Sequence, residues 1–252
     1  MSWSNLTIMV GSLAIASVVL LLLPRFAPVE ARKPHNDVTA AIFAMVGVLY
    51  AVLLAFVVIV VWEAADDARA TTFREADQLA GLYWTSREFD SPTGIELTDL
   101  TLQYAHTVIG DEWRLMADHR TDPNTTELVY RIRDTTNALQ PVDARQQAHF
   151  ENALKHVEGL ASERRARLTQ VQDAVPPLLW VPLIAGAVLT VGFAFVFGIS
   201  SIRLHLAMVL TMTAMICVVL IVIKEMNYPF DGVNAVEPDA FQVFLNRLPA
   251  TR

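Results

Sequence analysis

The residues of this chain best suited to chemistry are two histidines and five carboxylates. His149 and His156 stand two helical turns apart with Asn152 between them. On a helix they share a face and could ligate one metal ion, but no third strong ligand follows at helical spacing, which argues against a built site. Asp66, Asp67, Asp231, Glu237 and Asp239 lie close to the ends of apolar runs. They are hard oxygen ligands of the type calcium takes, without the spacing of a known calcium loop. There is no phosphate-binding glycine loop, dinucleotide fingerprint or zinc-protease helix, and no catalytic constellation, so the sequence does not read as an enzyme. The one cysteine, Cys217, lies within an apolar run and reads as a small packing residue.

The elements that hold these residues follow from hydropathy. Of the 252 residues 54% are hydrophobic and 18% charged, against about a quarter charged in an ordinary soluble domain. Residues 6–23, 38–62, 175–199 and 204–223 contain no Asp, Glu, Lys or Arg. At about 1.5 Å per residue, each run can cross a hydrocarbon core of about 30 Å, the shorter two with little room to tilt. The rest of the chain is too small and too polar to bury them. The expected fold is an all-α membrane protein with four transmembrane helices and a helical polar domain inserted between spans 2 and 3. Residues 1–62 carry the first two spans, 63–174 the polar domain and 175–223 the last two. Residues 224–252 form a tail expected to pack on the polar domain. The first run reads as a span, not a cleaved signal, because "MSWSN" carries no basic residue and no small-x-small site follows.

The polar region reads as helical almost throughout. Phe73, Ala76, Leu79, Ala80 and Tyr83 have helical spacing. After the "SPTG" turn, Leu97, Leu100, Tyr104, Val108 and Leu115 mark a second helix, which "DPN" ends. Asn124 with Glu127 resembles a capping box for a third, and Pro141 opens a long helix expected to run to the third span. Phe150, Leu154, Val157, Ala161, Arg164, Leu168, Val171 and Val175 alternate spacings of four and three, a heptad-like seam broken by Arg164. It suits packing within the chain or across a subunit interface. Residues 63–173 hold 20 acidic and 12 basic side chains, a net charge of −8. Such a surface disfavours nucleic acid, whose phosphates need clustered Lys and Arg, and can concentrate cations.

Apart from His205 near one end, the spans omit ionisable groups, which argues against proton-coupled pumps and voltage sensors. An apolar constriction gated by wetting remains compatible. Small residues form two stripes: Ala40, Ala44, Gly47, Ala51 and Ala55 in the second span, and Gly186, Thr190, Ala194 and Gly198 in the third. Both read as faces of close helix contact. Thr39, Tyr50, Thr211 and Thr213 read as interhelical hydrogen-bonding groups.

Several stretches, taken in order, resemble a family. "HNDVTAAIFAMVGVLYAVLLAFVVIVVW", "EADQLAGLYW", "LQYAHTVIGDEW", "ERRARL", "NYPFDG" and "VEPDAFQVFL" are similar to the bacterial bestrophin-like proteins, also described as DUF4239. The resemblance implies a homo-oligomeric, pentameric ion channel of the inner membrane, with the lipid bilayer, other copies of itself and inorganic ions as partners. It puts an apolar neck on the second span, with Phe43, Val46, Tyr50 and Phe56 as pore-lining candidates and Phe56 as the steric gate. Ala44, Gly47 and Ala51 are left to helix packing. In bestrophins a calcium clasp follows an Asn-Pro-Phe-Gly step. Here the corresponding corner is Asn227, Pro229, Phe230, Asp231 and Gly232, with Tyr228 inserted and no dense acidic run after it. Calcium is therefore the one cofactor the resemblance brings, with Asp231, Glu237 and Asp239 as candidate ligands. The resemblance places the polar domain in the cytoplasm, as do Arg164, Arg165 and Arg167. The basic loop with Arg25, Arg32 and Lys33 points the opposite way. The rival reading is a non-conducting membrane scaffold or signalling protein that recruits partners through its acidic helical domain.

Overall fold

The computed structural model describes residues 3–172, 174–232 and 235–248. Every regular element among them is helical. The chain divides into two compact units, Met1–Trp62 with Ala174–Asn227, and Glu63–Asp173 with Tyr228–Arg252.

In the first unit, α1 (Trp3–Phe26) leads through a short α2 (Val29–Arg32) and a 3-10 turn (Lys33–His35) into α3 (Asn36–Ser86). The third and fourth spans are α8 (Pro177–Val196) and α9 (Ile202–Met226). All four apolar helices are long enough to cross a bilayer. Most of their large side chains stay exposed, Leu49 and Met45 at 72% and 70% among them. A bilayer solvates such surface and water does not, so this is an integral membrane protein. Helix α1 packs along α9 through Ala16, Leu20 and Val209. The membrane part of α3 meets α8 and α9 at Val57, Val61, Leu183 and Ile223.

Polar clamps close both ends of this unit. At one end Arg32 Nη1 donates to the carbonyls of Phe195 (2.7 Å) and Phe197 (2.9 Å), where α8 stops. The Gly198 amide donates to Asn36 Oδ1 at 2.8 Å. At the other end Asn5 donates to Glu225 (2.7 Å) and accepts from Lys224 (3.0 Å). Thr190 and Thr213 donate to the carbonyls of Gly186 and Val209 in their own helices. For Thr213 this corrects the interhelical expectation: a carbonyl four residues back is always within reach.

The second unit contains the remainder of α3, then α4 (Pro92–Thr107), a π-helical turn (Val108–Glu112), α5 (Trp113–Ala117), α6 (Pro123–Asn137), α7 (Ala144–Thr169) and α10 (Asp239–Asn246). Leu79, Leu82, Leu97, Tyr104, Ile132, Leu160 and Phe241 form the centre of its core. The helix starts are set by short polar caps, and three sequence expectations change. Helix α6 is capped by Asp122, whose carboxylate accepts from the Asn124 and Thr125 amides, and not by Asn124. Pro123 then occupies the first turn, where its missing amide costs nothing. Helix α7 starts at Ala144 behind Asp143, not at Pro141. It also ends at Thr169, short of α8, which begins at Pro177 behind Pro176.

The seam is shifted as well. Val157, Ala161 and Arg164 are buried, but they share that face with Ala153, Leu160 and Arg167, while Leu154 and Leu168 are half-buried. His149 and His156 take different partners. His149 Nε2 lies 3.7 Å from a Glu88 oxygen, and His156 Nδ1 lies 3.0 Å from Gln78 Oε1 beside Gly81.

Burial lowers the pKa of His156 below its ordinary value. The folded chain then takes up this proton at lower pH than the unfolded one. The stability tied to a neutral His156 is present above about pH 6.5 and is lost as pH falls through the lowered folded pKa. His156→Asn is expected to flatten the part of the stability–pH curve below 6.5, measured by thermal unfolding from pH 7.5 to 5. An unchanged slope would place the acid sensitivity elsewhere.

Candidate functional site

Three features of the structure could serve function: a buried charge cluster, the corner after α9 and the outer face of α3. The cluster lies inside the second unit. Glu75, Glu112 and Arg167 are fully buried, and Arg164 nearly so. Arg167 donates from Nε to Glu75 Oε2 (2.6 Å) and from Nη2 to Glu75 Oε1 (2.9 Å) and Glu112 Oε2 (2.8 Å). Arg164 completes it by donating to Glu112 and to Thr126. Tyr104 donates to Glu75 at 2.5 Å, and the Arg167 guanidinium stands 5.4 Å from the Trp113 ring centroid.

Two carboxylates and two guanidiniums make the cluster neutral, which is what allows charges to remain in a dry interior. Burial works against the charge of Arg167, but Glu75 and Glu112 outweigh it and hold its pKa well above the ordinary value. Burial first, then the Glu75 charge, pushes the Tyr104 phenol well above its usual range, so it stays a donor. The π-helical turn supplies the geometry. One wide turn before Trp113 aims Glu112 into the core at the point where α4 and α5 join. Arg164 and Arg167 thus act as core ion-pair partners, correcting their use as surface markers of orientation. Arg32, which caps α8, is likewise buried.

The corner after α9 is built residue by residue. Asn227 is buried, and its Oδ1 accepts from the Val175 amide while its carbonyl accepts from the Ala174 amide, both at 2.8 Å. It therefore ties the end of α9 to the approach of α8. In the second unit, the Pro229 carbonyl accepts from the Val236 amide at 2.8 Å. Phe230 is buried among Ala68, Met116, Val171 and Val236, edge-on to Trp113. Gly232 adopts φ 97°, which a side chain would strain. The Asp231 carboxylate accepts from the Gly232 amide, Asp239 pairs with Arg69 at 3.3 Å, and Glu237 is exposed. Among the described residues no three His, Cys, Asp or Glu side chains come together as metal ligands. Asp231, Glu237 and Asp239 thus do not converge as side-chain ligands of one ion within this chain.

The sequence of the whole chain places these features in one family. A sequence model described as Bestrophin-like domain matches residues 10–241. The chain belongs to the Bestrophin-like family. No curated protein and no solved structure matches it.

In this Bestrophin-like protein the second span turns its faces differently from the sequence expectation. Tyr50 is 6% exposed and lies against Gly186 of α8, while Phe43 is half-buried and edge-on to Phe197. Val46 is half-buried on the same side. Tyr50 is thus packed within the chain, while Phe43 and Val46 keep part of their surface exposed. Of the four candidates Phe56 alone is fully outward, at 67% exposed. Ala44 and Ala51, expected at helix contacts, are exposed, and Gly47 has open space where a Cβ would sit. The physical reason is that a small residue of one helix receives a large residue of the next. Gly186 receives Tyr50, and the small face of α3 turns outward from its own chain.

The stripe on the third span is in contact along its length. Gly186 meets Tyr50, Thr190 is buried, the Ala194 carbonyl lies 2.9 Å from His205 Nε2, and Gly198 meets the backbone of Arg32 and Lys33. Glu75, Glu112 and Tyr104 were not singled out from the sequence as site residues. The signal was present: Glu112 falls between Val108 and Met116 at four-residue spacing, a charge within an apolar stripe.

Proposed function

We propose that this chain is the subunit of a homo-oligomeric ion channel of the bestrophin type, with the outer face of α3 along the conduction path. The observation that carries this reading is the family match, which spans all but the ends of the chain, spans and polar region alike. Met45, Leu49, Val52, Phe56 and Ile59 form a continuous exposed apolar face on α3, the material of a neck that gates by wetting. Five copies around an axis would bring five Phe56 side chains together as the narrowest ring. This reading takes the polar unit to lie on the cytoplasmic side of a bacterial inner membrane, as the resemblance implies.

Truncating a large apolar group at a constriction favours its wetting. Phe56→Ala is therefore expected to raise ion flux severalfold in liposomes carrying purified protein, measured separately for anions and cations. Tyr50→Phe, which changes a residue packed within the chain, is expected to leave flux near the parent value. Absence of flux for every ion in both the parent and Phe56→Ala would overturn the channel and favour the scaffold.

A further inference from the structure

A groove runs along the first unit between α1 and α8, with α9 as its floor. Ile8 and Val19 mark its ends on α1, Ile184 and Phe195 line α8, and Cys217 and Leu220 lie beneath. Its volume is 460 Å³, within the roughly 300–1,000 Å³ of small-molecule sites. Lys224 and Thr213 bound the floor, a run of about 16 Å at 1.5 Å per residue. Its walls are almost wholly apolar, as a bound hydrocarbon chain requires. It matches an extended hydrocarbon chain.

Its two ends differ. At the α9 C-terminal end stand Trp180 and Lys224, the residue types that mark the level of lipid headgroups. Lys224 is exposed and donates to the uncharged Asn5 Oδ1 (3.0 Å) and Ser4 Oγ (3.4 Å); the same Asn5 donates to Glu225 (2.7 Å), so the lysine would meet an anion with one acidic neighbour beside it. Further along, the groove is apolar. Thr213 donates within its own helix. A Cβ on Gly192 would meet nothing, so that part of the wall faces open space.

We propose that this groove holds one acyl chain of an anionic phospholipid, with its phosphate against Lys224. The inference stands whether or not the protein conducts ions. The test uses full-length protein reconstituted in mixed phosphatidylglycerol and phosphatidylcholine vesicles, then examined by native mass spectrometry. The parent is expected to retain phosphatidylglycerol in preference to phosphatidylcholine. Gly192→Phe and, separately, Ala187→Phe fill the groove and are expected to lower retained lipid severalfold at a parental thermal midpoint. Lys224→Gln is expected to keep the lipid and lose the headgroup preference. In the unaltered fold, phosphatidylglycerol brominated on its chain is expected to quench Trp180, the quenching falling in Trp180→Phe. Retention by both filled variants at the parental level, no headgroup preference in the parent, or no Trp180 quenching would each overturn the site. Filled variants that change subunit number with lipid unaffected would assign the groove to a second copy instead.

Discussion

Arg167→Met is expected to destabilise the polar unit by about 3–5 kcal/mol, the usual cost of removing one partner from a buried ion pair. Arg165→Met, two positions away and exposed, is expected to melt with the parent. The difference lies in what each change leaves behind. Without Arg167, the buried carboxylates of Glu75 and Glu112 lose three charge-assisted hydrogen bonds, and Arg164 reaches Glu112 alone. Tyr104 still donates to Glu75, but a phenol supplies no compensating charge. A second change separates the worth of the pair from the penalty of orphaning it. In Glu75→Leu/Arg167→Met no unpaired carboxylate remains at position 75, and buried apolar replacements of ion pairs are often nearly neutral. The double variant is expected to recover part of the loss, giving a coupling energy of about 1–3 kcal/mol. Denaturant unfolding followed by the fluorescence of Trp113, which stands over Arg167, reads this directly. A parental midpoint for Arg167→Met would show that the cluster contributes nothing to the polar unit.

The membrane spans were legible because the signal is long and redundant. Eighteen or more residues without a charge leave one physical outcome; α1, α3 and α9 cover their runs and α8 all but the ends of its own. The caps were legible in kind but not in position. Asp122 and Asn124 both suit an N-cap, and the choice fell to Asp122 because Pro123 fits the first turn. Faces within the membrane were harder to read. In a soluble helix polarity tells inside from outside, whereas on α3 both faces are apolar and only a partner such as Gly186 decides that Tyr50 turns inward. The charge cluster was hidden for a related reason. A lone Arg164 in a seam looks like an interruption until Glu112, placed by a π-helical turn with no simple sequence signature, is seen opposite it.

Three glycines of the third span and its exit provide the sharpest test of that packing, because the structure gives each different surroundings. Gly198→Ala is expected to be the most damaging, at the upper end of the roughly 1–3 kcal/mol cost of overpacking. Its Cβ would fall on the backbone of Arg32 and Lys33, and backbone cannot swing aside as a side chain can. The same residue exchanges hydrogen bonds with Asn36, at 2.8 Å and 3.3 Å. Displacing it also disturbs the Arg32 contacts that close α8. Gly186→Ala is expected to cost less, since its Cβ meets the ring of Tyr50, which can shift although it is buried. Gly192→Ala meets nothing and is expected to be neutral or to stabilise by up to about 1 kcal/mol, the helix-propensity gain of Ala over Gly. Thermal midpoints of the three variants in one detergent should therefore rank Gly198→Ala lowest, Gly186→Ala between and Gly192→Ala at or above the parent. Equal midpoints for Gly198→Ala and Gly192→Ala would mean that the loop carrying Arg32 does not rest on the end of α8.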